Sequence, residues 1–96
     1  MAGRGRPLMA ISFPNSARSY DEANRRVRFL GHDGMFEIRF FVSADVLAGE
    51  LSQRTASVED YLASFDALRP RIQKVAEKAY AKTRDSMIVL DLENFR

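Results

Sequence analysis

The chain contains no cysteine and no tryptophan, a single histidine, three prolines and five glycines among its 96 residues. Without thiols, neither a disulfide framework nor a thiolate metal site can form, and nothing asks for an oxidising compartment; a reducing cytoplasm is the expected location. One histidine leaves little besides carboxylates for a metal, and no Asp-x-Asp-x-Asp-Gly spacing occurs, so no metal site is expected. Gly3 and Gly5 precede the first apolar run instead of joining a strand to a helix, which removes the usual phosphate cradle and with it any nucleotide cofactor. Uninterrupted apolar runs reach no more than four residues, as in Met87 to Leu90, far short of the roughly 20 that cross a bilayer. The N-terminus also lacks the apolar stretch of a signal peptide, so no membrane association is expected. A strong charge of either sign is missing too: fifteen basic against thirteen acidic side chains give +2, too balanced to demand a polyanionic partner.

What remains is an ordinary globular composition. With 46% apolar residues, the chain can fill one core and not two. Met1 to Pro7 (MAGRGRP) reads as a flexible Gly/Arg-rich tail, and 8–96 as a single compact domain. Positive charge gathers at the front, where Arg4, Arg6, Arg18, Arg25, Arg26 and Arg28 face only Asp21 and Glu22.

Leu8 to Phe13 reads as a first strand, closed by Pro14, and Asn15 to Asn24 as a polar loop. Arg25 to Val42 (RRVRFLGHDGMFEIRFFV) sets two alternating runs around Gly-His-Asp-Gly and predicts a β-hairpin. Its core face carries Val27, Phe29, Phe36, Ile38, Phe40 and Val42; Arg26, Arg28, Glu37 and Arg39 take the other. A tight Asp33-Gly34 turn would oppose Arg28 to Arg39, whereas a Gly31 to Gly34 loop opposes Arg28 to Glu37 and Leu30 to Met35; opposed charges favour the longer loop.

Ser43 reads as the N-cap of a short helix, Ala44 to about Ser52, and Ser57-Val58-Glu59-Asp60 as the capping box of a longer one. Apolar residues then recur from Val58 through Tyr61, Leu62, Phe65, Leu68, Ile72, Val75, Ala76 and Ala79 to Tyr80 at helical spacing. Pro70 lies on the polar side of this stripe, which predicts one kinked helix to about Arg84 wrapping the sheet. Residues 86–92 read as a central strand. The expected fold is α+β: an antiparallel-dominated sheet of about four strands with a short helix and a long Pro-kinked helix on one face, in the order β-ββ-α-α-β.

Met9 to Asp21 (MAISFPNSARSYD), VRFLGHDGMFEIRFFV, the Phe65-Asp66 and Arg69 of the helix, and Ala79 to Arg84 together resemble the small bacterial family catalogued as domain of unknown function 1488. The likeness spans nearly the whole chain, with Leu30 where the family commonly has an aromatic residue. Members commonly start near Met9, so Met1 to Leu8 reads as an extension or an upstream start. The resemblance implies a compact bacterial domain and carries over no catalytic residue.

The candidate chemistry is correspondingly thin. His32 adjoins Asp33 and could form an acid/base pair, although both residues suit a turn. Asn15, Arg18, Tyr20 and Asp21 form a polar cluster in the first loop, and Arg69 could reach across to a carboxylate there. No catalytic constellation is present, so a non-enzymatic role is expected. The leading reading is an accessory or protein-interaction domain, self-associating as a homodimer or binding an unidentified protein through Leu30, Met35 and Phe41 on the outward sheet face. The alternative is a nucleic-acid-binding module using Arg26, Arg28 and Arg39 on that same face.

Overall fold

The computed structural model describes residues 11–48 and 57–95. Four strands form one sheet in the order β1-β2-β3-β4: β1 (Arg18–Asp21), β2 (Arg26–Asp33), β3 (Phe36–Ser43) and β4 (Met87–Leu90). β1, β2 and β3 are antiparallel neighbours. β4 runs parallel to β3, because α1 (Ala44–Leu47) and α2 (Val58–Thr83) carry the chain back across the sheet between them. The fold is α+β, with the core enclosed between one sheet face and the helices. Val27, Phe29, Ile38, Phe40, Val42, Ile88 and Leu90 meet Leu47, Tyr61, Phe65, Ile72, Ala76 and Tyr80 there.

The long helix begins as its sequence predicts. Ser57 Oγ accepts the Asp60 amide at 3.2 Å while Asp60 Oδ2 accepts the Ser57 amide at 2.9 Å, so two otherwise orphaned donors are satisfied reciprocally. α2 continues through Pro70, which is exposed, as one helix. It ends at Arg84, whose left-handed backbone (φ 57°) returns its N–H to the Tyr80 carbonyl at 2.7 Å.

The front of the chain departs from expectation. The strand placed at residues 8–13 lies partly outside the described residues, and within them it is reduced to one bridge, Ser12 to His32, with two 2.8 Å bonds. The first strand is instead β1, in the segment read as a loop. Both stretches run along the same edge of β2: Ser12 to Arg18 spans six steps while His32 to Phe29 spans three, so the intervening chain bulges outward. Pro14 cannot donate to the ladder, and Asn15 Oδ1 takes the Ala17 amide at 2.8 Å, which diverts the backbone from β2 and then returns it.

The hairpin adopts neither register weighed above. Asp33 opposes Phe36 across a two-residue Gly34-Met35 turn with positive φ (63°) at Gly34 only, the pattern of a type II′ turn. Arg28 therefore opposes Phe41 and Leu30 opposes Arg39. The registers differ by even shifts, which leave every side chain on its expected face; the apolar alternation could not choose among them, and the turn did. Gly31 thereby sits inside β2, opposite Ile38.

Smaller differences appear at Ser43 and after Leu90. Ser43 occupies the N-cap of α1 without a side-chain bond, and its hydroxyl is buried without a partner among the described residues. α1 is a single turn; its expected extension to Ser52 falls outside the described residues, as does the 1–7 tail. β4 ends at Leu90 because Asp91 and Asn94 trade side-chain bonds with nearby amides, at 2.9 and 3.0 Å, and fold Leu92–Phe95 into a 3-10 turn.

Candidate functional site

Alternation along β1 sends Arg18 and Tyr20 toward the helix layer, opposite Phe29 and Val27. Arg18 donates two bonds to Asp66, Nε to Oδ1 at 2.9 Å and Nη2 to Oδ2 at 2.8 Å. Arg69 donates to Asp66 Oδ1 at 2.9 Å and to the Ser16 carbonyl at 3.1 Å. Arg69 does reach the first loop, as expected, but it takes a backbone carbonyl there; the carboxylate it holds is on its own helix. Tyr20 stacks on Tyr61 with ring centroids 5.3 Å apart and planes within 6°. On the opposite face Asp21 takes Arg26 Nε at 3.2 Å and the Asn24 side chain at 2.9 Å. Asn15 holds its own turn. Of the expected polar cluster, Arg18, Tyr20 and Arg69 thus tie the front segment to α2, while Asn15 and Asp21 bond elsewhere and do not join them. Asp66 and Arg69, three apart on the helix, form the local pair their spacing allows; the second partner, Arg18, lies 48 residues away and is beyond local sequence reasoning.

Arg18 first, then Arg69, hold the Asp66 carboxyl below the usual carboxylate range. A folded-state pKa lowered in this way adds stability above the unfolded value of about 3.9 and loses it as pH falls through the folded value. Because the pair is partly exposed, its contribution is under about 1 kcal/mol. Urea melts of wild type and Asp66→Asn should differ most near neutrality and converge in acid. A gap that widened on acidification would contradict this assignment.

His32 and Asp33 do not form a pair. Consecutive strand residues point to opposite faces: His32 lies outward across from Glu37, while Asp33 lies inward and accepts the Tyr80 hydroxyl at 2.6 Å. That bond, and burial after it, raise the Tyr80 pKa, so the phenol stays protonated.

The outward sheet face carries Arg28, Leu30 and His32 from β2, Glu37, Arg39 and Phe41 from β3, and Met87 and Val89 from β4. No element among the described residues covers it. Met87 and Val89 are 46% and 43% exposed and Leu30 is half-buried. Phe41, expected to be open, is only 7% exposed, because the Arg26 guanidinium lies 3.8 Å from its ring centroid. Arg26 is likewise not a free cation, being tied to Asp21. Met35 is 97% exposed but sits in the turn, beyond the face itself.

An open, mostly antiparallel four-stranded sheet backed by a short and a long helix defines the class, a small α+β domain. The chain belongs to the family described as protein of unknown function (DUF1488), whose model matches residues 11–90. Comparison with curated proteins and with solved structures returns no match. The residues that carry the family likeness hold one another in this fold. Phe13 packs on Phe29 and Phe40 at 6.0 and 5.9 Å, Arg18 and Arg69 meet on Asp66, Tyr20 stacks on Tyr61, and Asp33 takes Tyr80.

Proposed function

We propose that this domain is a bacterial, cytoplasmic, non-catalytic interaction module that self-associates through the open face of its sheet. The observation that carries this reading is the exposure of Met87 and Val89 beside half-buried Leu30 on a face that no second layer covers among the described residues. The same face carries both signs of charge, Arg28 and Arg39 beside Glu37 and Asp21, so a two-fold axis can set basic residues of one copy against acidic residues of the other. The separation of His32 from Asp33 supports a role other than acid/base catalysis. Among the described residues no helix is long and apolar enough to cross a membrane, which accords with a partner in solution. The nucleic-acid alternative loses support because Phe41, the aromatic ring of that face, lies under Arg26 and cannot stack on a base.

Light scattering at high micromolar concentration should show a dimer. Leu30→Asp and Val89→Asp should each yield monomers with unchanged circular dichroism, and added salt should have little effect, since apolar burial is weakly screened. Phe41→Asp is unsuitable because it would bury a charge. A strictly monomeric protein whose binding to single-stranded oligonucleotides falls steeply with salt, and is lost in an Arg28→Ala/Arg39→Ala variant, would overturn the proposal in favour of nucleic acid.

A further inference from the structure

The two edges of the sheet are not alike. β1, at one edge, carries Arg18 and Asp21 and follows the bulge; charge and distortion of this kind keep an edge from pairing with another chain. β4, at the other edge, reads MIVL, with no charge, proline or bulge. A strand of that composition at an edge is a template for a further strand.

The backbone bonding of β4 fixes which groups stay open. The Arg39 N–H donates to the Ser86 carbonyl at 2.8 Å and the parallel ladder continues from there, so Ser86, Ile88 and Leu90 address β3. The N–H and C=O of Met87 and Val89 point the other way, and no described residue bonds them. Their neighbours along that edge differ: Thr83 Oγ1 accepts the Asp85 amide at 3.3 Å, and Asn94 Oδ1 accepts the Asp91 amide at 2.9 Å. The open stretch is therefore one donor and one acceptor on each of two residues, closed off at both ends, and the side chains of the same two residues are exposed.

We propose that this edge pairs with the β4 edge of a second copy of the chain, antiparallel about a two-fold axis at Ile88. Met87 then lies opposite Val89 of the other copy, and each N–H donates to the carbonyl across from it. Because the axis repeats the pair, every open group of both copies is bonded. An axis at Met87 or at Val89 would instead set one of these residues against Asp85 or Asp91, whose amides are already taken. The Ile88 register also puts the exposed Met87 and Val89 side chains directly across from each other on the outward face. Asp85 and Asp91 of the two copies approach at its ends, so added salt, by screening them, tightens the pairing. The contact goes beyond the face-to-face association, since Leu30 on β2 lies two strands from this edge.

Two residues per copy make a contact smaller than that of a stable dimer, so it fills at millimolar protein. The test is amide hydrogen exchange, read by NMR across a dilution series of the full chain, in wild type and in Leu30→Asp, which removes the face contact. The Met87 and Val89 amides should exchange freely in dilute protein. Near the dissociation constant, where half the chains are paired, their exchange should slow about twofold in both proteins, while the Asp85 and Asp91 amides stay constant. Met87→Pro, at the first strand position with its nitrogen toward solvent, should keep a dispersed spectrum and abolish the slowing at Val89; Met87→Leu should retain it. A wild type that scatters as a monomer at high micromolar concentration yet shows this slowing would refute the face contact and support the edge pairing. Exchange at Met87 and Val89 that ignores concentration, protection already complete in dilute protein, or slowing that survives in Met87→Pro would each overturn the edge pairing.

Discussion

Truncating Phe65 to alanine is expected to cost about 3 to 5 kcal/mol, the range for deleting a fully buried aromatic side chain. Phe65 is 0% exposed in the first third of α2, its ring centroid is 5.2 Å from that of Phe29, and the Arg69 guanidinium covers it at 4.8 Å. The vacated space has no easy filler: its neighbours belong to a sheet pinned by backbone ladders on one side and a helix on the other, so collapse is limited. A domain of this size commonly has about 5 to 15 kcal/mol in total, and the variant would stand near its unfolding threshold. Urea denaturation measures the effect. A loss below about 1 kcal/mol would mean that Phe65 does not hold the helix to the sheet.

Gly31→Val should cost about 3 kcal/mol, the upper part of the overpacking range. A Cβ built at Gly31 would lie 2.9 Å from Ile11 Cδ1, 2.9 Å from Phe13 Cε1 and 3.0 Å from Phe40 Cε2. Ile11 ends in a flexible methyl and can yield, whereas the Phe13 and Phe40 rings, with centroids 5.9 Å apart and planes tilted by 50°, pack on each other, so either one has less room to give way. Gly31→Ala should therefore be milder than Gly31→Val, and combining it with Phe13→Ala should cost less than the two changes summed. Thermal or urea melts of the cycle decide the matter. Strict additivity would show that Gly31 is not where the front segment seats on the sheet. Gly34→Ala makes a useful contrast, since nothing lies within 4 Å of its added methyl and the strain is that of a positive φ alone.

These two positions also mark how far the chain can be read before it folds. Phe65 was legible because helical spacing is a local property: ten apolar positions from Val58 to Tyr80 define one stripe, and any residue at its centre must be buried. Gly31 was not, because a glycine between Leu30 and His32 has the same local chemistry in a loop as in a strand. Its place depends on Ile11 and Phe13 arriving from twenty residues away. The candidate site divides the same way. Arg69 was legible as a residue reaching toward the first loop, while its actual acceptor at Ser16 and the Arg18 to Asp66 bonds depend on where β1 docks. Phe41 was legible as outward-facing, but its concealment rests on Arg26 stacking over it from the neighbouring strand.

Periodicity, capping residues and the absence of cysteine determined the α+β class, the hairpin faces, the single long helix and the lack of a thiolate site, because each is settled by residues within a few positions of one another. Tertiary structure alone decided the register of β2 on β3, the bulge that makes Arg18–Asp21 a strand, the bonds from Arg18 to Asp66 and the cover of Arg26 over Phe41. Even register shifts leave every side chain on the same side, and a bulge, a long-range ion pair or a ring covered from a neighbouring strand exists only once separate segments have taken their places against each other.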